Sequence, residues 1–509
     1  MCGIAGIWGQ SDEETVRTMM RRLAHRGPDA QGILKNPEGP GILGHRRLAI
    51  MDPAGGDQPI RSAEGRRAIV ANGEIYNFRV LRSRLEDRHR FRTQSDSEAA
   101  LALYAERGPA CARDLDGMFA FAVADGGDLF VARDPIGIKP LYFGRRNGDL
   151  LFASEIKALA GCAEDVREFP PGSWFHSRVG TRSYYEVPDR APVPRTTEEH
   201  VALVRQTLER AVRKRLMSDV PLGAFLSGGL DSSIIAALVR PHVDEFHTFS
   251  VGIEGSRDLE AARVVARHLD TVHHEYVLRS EEIAARLPEI LFHLESFDQE
   301  LVRSAVPCYF TARLASPVVK VVLTGEGADE LFAGYRYYRD YEDSTLLRQE
   351  LSRSVRSLHN VNLQRVDRMT MAHSIEGRVP FLDVEMIELA QTIPPELKLK
   401  RAEGAQSTEK WVLRKAGESL LPGEIVWRDK EQFDEGSGAV GLLSETVDGW
   451  MSPSEATQYA ERHPEARLRS AEECLYHKIL CEAYTDPAPV LGNVARWADR
   501  PVQIQPERA

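Results

Sequence analysis

Several common features are missing from this chain, and each absence removes a class of protein. No apolar run approaches the roughly 20 residues a membrane helix needs, so no membrane span is expected. The six cysteines (Cys2, Cys111, Cys162, Cys308, Cys474 and Cys481) are scattered, with no CxxC pair. That spacing fits neither a zinc site nor a disulfide framework, and a reducing cytoplasm is the expected compartment. The opening MCGIAGIWG has no basic stretch and no long apolar core, so a secretory leader is not expected. Positive charge is in deficit: 65 Lys and Arg stand against 76 Asp and Glu, a net charge of −11. Nonspecific nucleic-acid binding needs a basic face and is not expected here. There is no internal repeat and no low-complexity tract. What remains is ordinary globular composition, 42% hydrophobic and 28% charged. A length of 509 residues suggests about two to four domains.

The most informative stretch is PLGAFLSGGLDSSIIAALV, Pro221 to Val239. PLGAFL is an apolar run of strand length. Ser227, Gly228 and Gly229 form a turn in which glycine allows close approach to a ligand. Asp231 to Val239 begins with capping residues and reads as a helix. A strand, a glycine turn and a helix N-terminus together make an anion cradle, with phosphate as its occupant. The Gly-Lys-Ser/Thr ending of a Walker A loop is missing, so this is not that kind of nucleotide site. SGGLDSS resembles the pyrophosphate-binding loop of ATP pyrophosphatases, which adenylate a substrate and release pyrophosphate.

At the other end, Cys2 follows Met1. Removal of the methionine leaves an α-amine beside its own thiol. That amine has an ordinary pKa near 7.7–8.0 and can take the thiol proton without a separate base. Met1 aside, the alternative is a small buried cysteine opening the strand GIAGIW. The segments MCGI, HRGPD, HRRLAI, NGEIYN, SDSE and ARDPIGIKPLYF follow in order over the first 160 or so residues. Together they resemble the class II glutamine amidotransferase domain, an Ntn-type glutaminase. The resemblance implies Cys2 as nucleophile, with the Asn72 side chain and the Gly73 backbone N–H as oxyanion donors. It implies that Arg47 pairs with the glutamine carboxylate and that Asp96 accepts from its ammonium. Glu74 and the segment Arg47, Leu48, Ala49, Ile50 and Met51 would line the pocket.

Tyr184 to Thr197 holds three prolines and reads as a linker. Thr196 and Glu199 form a capping-box pattern, followed by a helical stripe of Val201, Val204, Leu208, Val212 and Leu216 that reads as core-facing. From Pro221 onward, strand-like and helix-like runs alternate, which predicts a parallel sheet with helices on both faces. Ligands of such sheets sit at the carboxyl ends of the strands, where SGGLDSS and TGEGADE both fall. Glu326, Asp329 and Glu330 follow the second glycine pair. Carboxylates beside a triphosphate suggest Mg²⁺.

With these segments, RVDRMTMAHSIEGRVPFLD and the run from Glu409 to Gly438 resemble the glutamine-hydrolysing asparagine synthetases. The resemblance implies an α+β Ntn-hydrolase sandwich, two antiparallel sheets between helices, over 2–185. A linker at 186–197 precedes an α/β doubly wound ATP-pyrophosphatase domain over 198–485, and 486–509 reads as an irregular tail whose composition points to no role. It implies ATP contacts at Leu226, Ser227, Gly228, Gly229, Asp231, Ser232, Ser233, Val251, Thr324 and Gly325. Asp231 and Asp329 would ligate Mg²⁺, Glu326 would assist ammonia attack, and Lys430 would stabilise phosphoryl charge. Arg378 and Asp383 would either bind the acceptor or scaffold the domain. Two positions depart from the family pattern. RSAVP (Arg303 to Pro307) has Ala305 and Val306 where hydroxyls are usual, and Gly377 stands where Ala or Val is usual. The expected acceptor is aspartate, with another carboxylate of specialised metabolism as the alternative. A β-lactam-synthetase-like ring closer and a catalytically dead binding protein fit less well, because every reactive position is filled. The expected substrates are glutamine, aspartate or a related acid, and ATP, with no nucleic-acid or membrane partner. The oligomeric state, a homodimer included, is left open.

Overall fold

A computed structural model describes residues 2–10, 12–402, 405–429 and 436–497. Lys430 lies outside the described residues.

The amino-terminal half is built on two antiparallel sheets of six strands each. Gly3–Trp8 is central in the first, hydrogen-bonded between Ile42–Arg47 and Asp149–Ala153. Arg67–Ile75 and Gly117–Asp125 pair along their length in the second. The facing sides alternate small and bulky apolar residues, and Ile4, Val70, Ala122 and Phe152 meet between the sheets. The helices Glu13–Arg22 and Asp96–Arg107 cover outer faces. This is the expected two-sheet sandwich.

No regular element occupies 184–196. The helix Thr197–Lys214 then starts at the capping box, with Thr196 accepting from the Glu199 amide and Glu199 accepting from the Thr196 amide. Val204, Leu208 and Val212 are buried, as the stripe predicts.

The carboxyl-terminal half holds five parallel strands. Their spatial order is Val272–Val277, His247–Gly252, Leu222–Phe225, Val321–Leu323 and Glu376–Arg378. The first strand in sequence is therefore in the middle, and the chain winds outward to one side and then to the other. The reversal creates a crevice between Leu222–Phe225 and Val321–Leu323, where ligands of open parallel sheets bind. SGG and TGEG are the two loops that leave these neighbouring strands.

The segment after 485 is not wholly irregular. It contains the short helix Ala488–Leu491, and Asn493 donates to the Val166 carbonyl at 2.9 Å, on an edge strand of the first sheet. Among the described residues, no helix is long and apolar enough to cross a membrane.

Candidate active sites

Cys2 precedes the central strand of the first sheet and points at the second. Its N–H donates to Asn72 Oδ1 at 3.0 Å, and its thiol faces the Leu48 carbonyl at 3.9 Å. Burial pushes the thiol pKa up, while the positive chain terminus pulls it down. Asn72 is fully buried, and its Nδ2 has no hydrogen-bond partner. A buried donor left without a partner is costly unless a ligand takes it. Gly73 adopts φ +142°, and a Cβ there would lie 2.0 Å from the Met118 carbonyl, so only glycine fits. Both lie on Arg67–Ile75 with Glu74, and the sheet thus gathers three of the expected residues into one row.

Asp96 opens the helix Asp96–Arg107 and accepts from the Ile75 amide at 2.6 Å. Burial pushes its carboxyl up to about 6. Glu74 is also raised well above the ordinary carboxylate range, by burial first and then by the charge of Glu376. Arg47 donates to Asp57 at 2.7 Å and to the Asp52 carbonyl at 2.6 Å, so it clamps the loop after its own strand. Of the segment behind it, the Ala49 amide donates to Asp29 at 2.8 Å, while Leu48, Ile50 and Met51 pack with Val321 and Met371 from the other half.

The second site is a cavity of about 570 Å³ at the crevice. Leu226, Ser227, Gly229, Asp231, Ser232, Val251, Thr324, Gly325, Glu326 and Asp329 all line it, as expected. Two expected residues do not. Gly228 turns at φ +71°, and a Cβ there would lie 2.4 Å from the Ala262 amide, so it shapes the loop from behind. Ser233 is fully buried within the helix Leu230–Val239. Glu330 is also behind the wall, accepting from Tyr335 at 2.6 Å and from Asn362 at 3.0 Å. Burial, then the nearby Asp329 charge, pushes it up to about 7.

Sequence reasoning missed Lys410. Its Nζ stands between Asp231 Oδ2 at 2.5 Å and Asp329 Oδ1 at 2.6 Å. It bridges the two carboxylates expected to hold Mg²⁺. Among the described residues, no group of three or more His, Cys, Asp and Glu could hold a metal by itself. Two carboxylates plus phosphate oxygens are nevertheless an ordinary Mg²⁺ set, and the buried Asp231 Oδ1 has no hydrogen-bond partner, so the residues fit such an ion. Trp497 was missed as well: it lines the cavity and meets Tyr335 edge-on at 5.1 Å.

The structure resolves the open pair. Arg378 is fully buried away from the cavity, donating to Glu376 at 2.6 Å and to the carbonyls of Arg215 and Met217. Asp383 caps the helix Val384–Gln391 and accepts from Arg215 at 2.8 Å. Both are scaffold. The departures also lie off the cavity. Ala305 and Val306 are buried in the core, while Ser304 and Thr311 of the same helix reach the wall. Gly377 lies under Val366, and its carbonyl accepts from Lys139 of the other half at 3.5 Å.

A glutamine amidotransferase domain family matches residues 1–181, and an asparagine synthase family matches 203–347 and 339–498. The chain is 40% identical over 463 residues to asparagine synthetase [glutamine-hydrolyzing] 1 of Arabidopsis thaliana, covering 86% of this chain and 78% of that one. The chain belongs to the asparagine synthase family. Within it, asparagine synthetase B [glutamine-hydrolyzing] of Escherichia coli (strain K12) is 37% identical over 516 residues, covering 96% of this chain and 92% of that one. Among solved structures, the glutamine phosphoribosylpyrophosphate amidotransferase of B. subtilis, complexed with ADP and GMP, covers 54% of this chain and 81% of its own. It matches at 20% identity with a TM-score of 0.33.

Proposed function

We propose that this family member is a glutamine-dependent asparagine synthetase. It releases ammonia from glutamine at Cys2 and uses ATP to amidate the side-chain carboxylate of aspartate. What carries the reading is the pairing, in one chain, of Cys2 beside the unused Asn72 amide with a glycine-lined cavity between two parallel strands.

After loss of Met1, the Cys2 amine takes the thiol proton. The thiolate attacks the glutamine amide carbon, and the oxyanion is held by the Asn72 side chain and the Gly73 N–H. Asp96 holds the substrate ammonium and Arg47 its carboxylate, with Glu74 and residues 48–51 around them. Collapse breaks the C–N bond and releases ammonia, and water then frees glutamate from the thioester.

In the cavity, Ser227, Gly229, Ser232, Thr324 and Gly325 hold the nucleotide, with Leu226 and Val251 against the base. The acceptor carboxylate displaces pyrophosphate from ATP and becomes an acyl-adenylate. Ammonia displaces AMP to give the amide, with Glu326 taking the excess proton. Mg²⁺ would be held by Asp231 and Asp329 and, when bound, neutralises triphosphate charge. Lys410 ties those two carboxylates together and offsets part of their charge. Lys430 is assigned to phosphoryl charge on resemblance alone. The off-cavity positions of Ala305, Val306 and Gly377 give no ground for a different acceptor. The six unpaired cysteines support a reducing cytoplasm.

A product assay with aspartate, glutamine and ATP tests the reading: asparagine, AMP and pyrophosphate are expected. Amide formation on another acid, with none on aspartate, would refute the acceptor. Cys2→Ala is expected to lose glutamine use and keep synthesis from ammonium salts.

A further inference from the structure

The contact between the two halves holds an arrangement that neither reaction requires by itself. Arg26, fully buried, donates through Nε to the carbonyl oxygen of Cys2 at 3.0 Å. Its Nη1 and Nη2 donate to the two carboxylate oxygens of Asp367, at 2.6 and 3.1 Å, across 341 residues of sequence. Nη1 also reaches Glu155 at 2.6 Å. A two-pronged guanidinium–carboxylate pair fixes the plane of the arginine, and that plane fixes the carbonyl it donates to. The backbone at residue 2 is therefore held in place from the synthetase half.

Asp367 lies on the helix Asn362–Met371. Two residues earlier on that helix, Arg365 pairs with Glu326 and lines the nucleotide cavity. Positions two apart on a helix diverge by about 200°. One helix thus presents Arg365 to one site and Asp367 to the other. It is buried along its length, from Leu363 to Met371. Packed elements of this kind shift as units between discrete arrangements.

We propose that Asp367 is a positioning residue of the glutaminase, setting the pose of Cys2 through Arg26 according to what Glu326 and Arg365 meet in the cavity. The proposal rests on Cys2 being the glutaminase nucleophile. A purely structural ion pair would hold the interface together but would not make Cys2 respond to the cavity's contents.

The test measures the rate at which an electrophilic glutamine analogue, 6-diazo-5-oxo-norleucine, alkylates Cys2, with and without ATP plus aspartate. Ammonia-dependent asparagine formation serves as the control. In the unaltered enzyme the rate is expected to change at least about fivefold, the lower end of ordinary site-to-site coupling. In Asp367→Asn that response is expected to disappear while ammonia-dependent synthesis persists. A response retained in Asp367→Asn, or none in the unaltered enzyme, overturns the proposal. Should Asp367→Asn lose ammonia-dependent synthesis through misfolding, Arg26→Lys decides: it keeps the charge but cannot reach Cys2 and both Asp367 oxygens, and a retained response there overturns the proposal. An unaltered enzyme that releases no glutamate from glutamine refutes the assignment of Cys2 instead.

Discussion

Asn72 divides its polar atoms between two tasks. Oδ1 accepts from the Cys2 N–H, and Nδ2 is buried and unpaired; in the proposed reaction it is the oxyanion donor. Asn72→Ala is expected to slow glutamate release by about 10²–10³-fold, with ammonia-dependent synthesis unchanged in the same preparation. Asp96 gives the pH dependence. The ammonium of glutamine needs a carboxylate partner, and burial lifts Asp96 to about 6. Above that pH the group is ionised and binds. As pH falls through it, the group takes a proton and the pairing is lost. The KM for glutamine is therefore expected to rise about tenfold per pH unit below 6, measured as glutamate release between pH 5 and 7. A flat KM over that range would remove Asp96 from the ammonium site. The placement of these residues beside Cys2 and Ile75 was legible because each belongs to a short contiguous motif. Lys410 was not. Its bridging contact exists only because residues 231, 329 and 410 meet in space, and its own surroundings, TEKWVLR, read as an ordinary helix start.

At the level of elements, the sheet alternation and both ligand loops could be read from periodicity and glycine placement. Other elements could not. Glu376–Arg378 is a short strand of two charged residues about a glycine, with no apolar pattern, yet both charges are buried and paired at the domain contact. Gln299–Ala315 stays helical through Pro307, which sequence rules would use to end it. The irregular composition of the tail points to no role. Its role comes from its partners: Asn493 ties it to Val166, Arg496 reaches Glu473 at 2.9 Å, and the Trp497 amide donates to Asp298 at 3.3 Å. Asp298 caps the helix that carries Ser304 and Thr311 to the cavity. In the proposed reaction the Trp497 indole, which lines the cavity, would shield an acyl-adenylate from water. Trp497→Ala is expected to raise pyrophosphate released per asparagine well above one, with glutaminase turnover unchanged. A ratio that stays at one would show that the indole excludes nothing.

At the scale of the whole molecule, the halves are joined by buried charge as well as by apolar contact. Arg26, Lys157 and Arg368 meet Glu155, Glu295 and Asp367, all nearly or fully buried. Three cations against three anions balance the cluster, and burial holds the adjoining His25 below its ordinary pKa, so it adds no charge at neutral pH. Such clusters gain little net stability over apolar packing, but they strongly penalise any arrangement that leaves one member alone. Removing one cation should therefore cost far more than removing a surface ion pair of similar length. Arg368→Met leaves Glu295, which it meets at 2.8 Å, short of a partner in a buried interface. It is expected to destabilise the fold by about 3–5 kcal/mol in urea unfolding. Arg17→Ala breaks the half-exposed pair with Glu13 and is expected to change stability by less than about 1 kcal/mol. Because the cluster spans both halves, the Arg368→Met loss should also uncouple them, splitting one unfolding transition into two. Equal, small losses in the two variants would mean that apolar contacts alone hold the glutaminase against the synthetase.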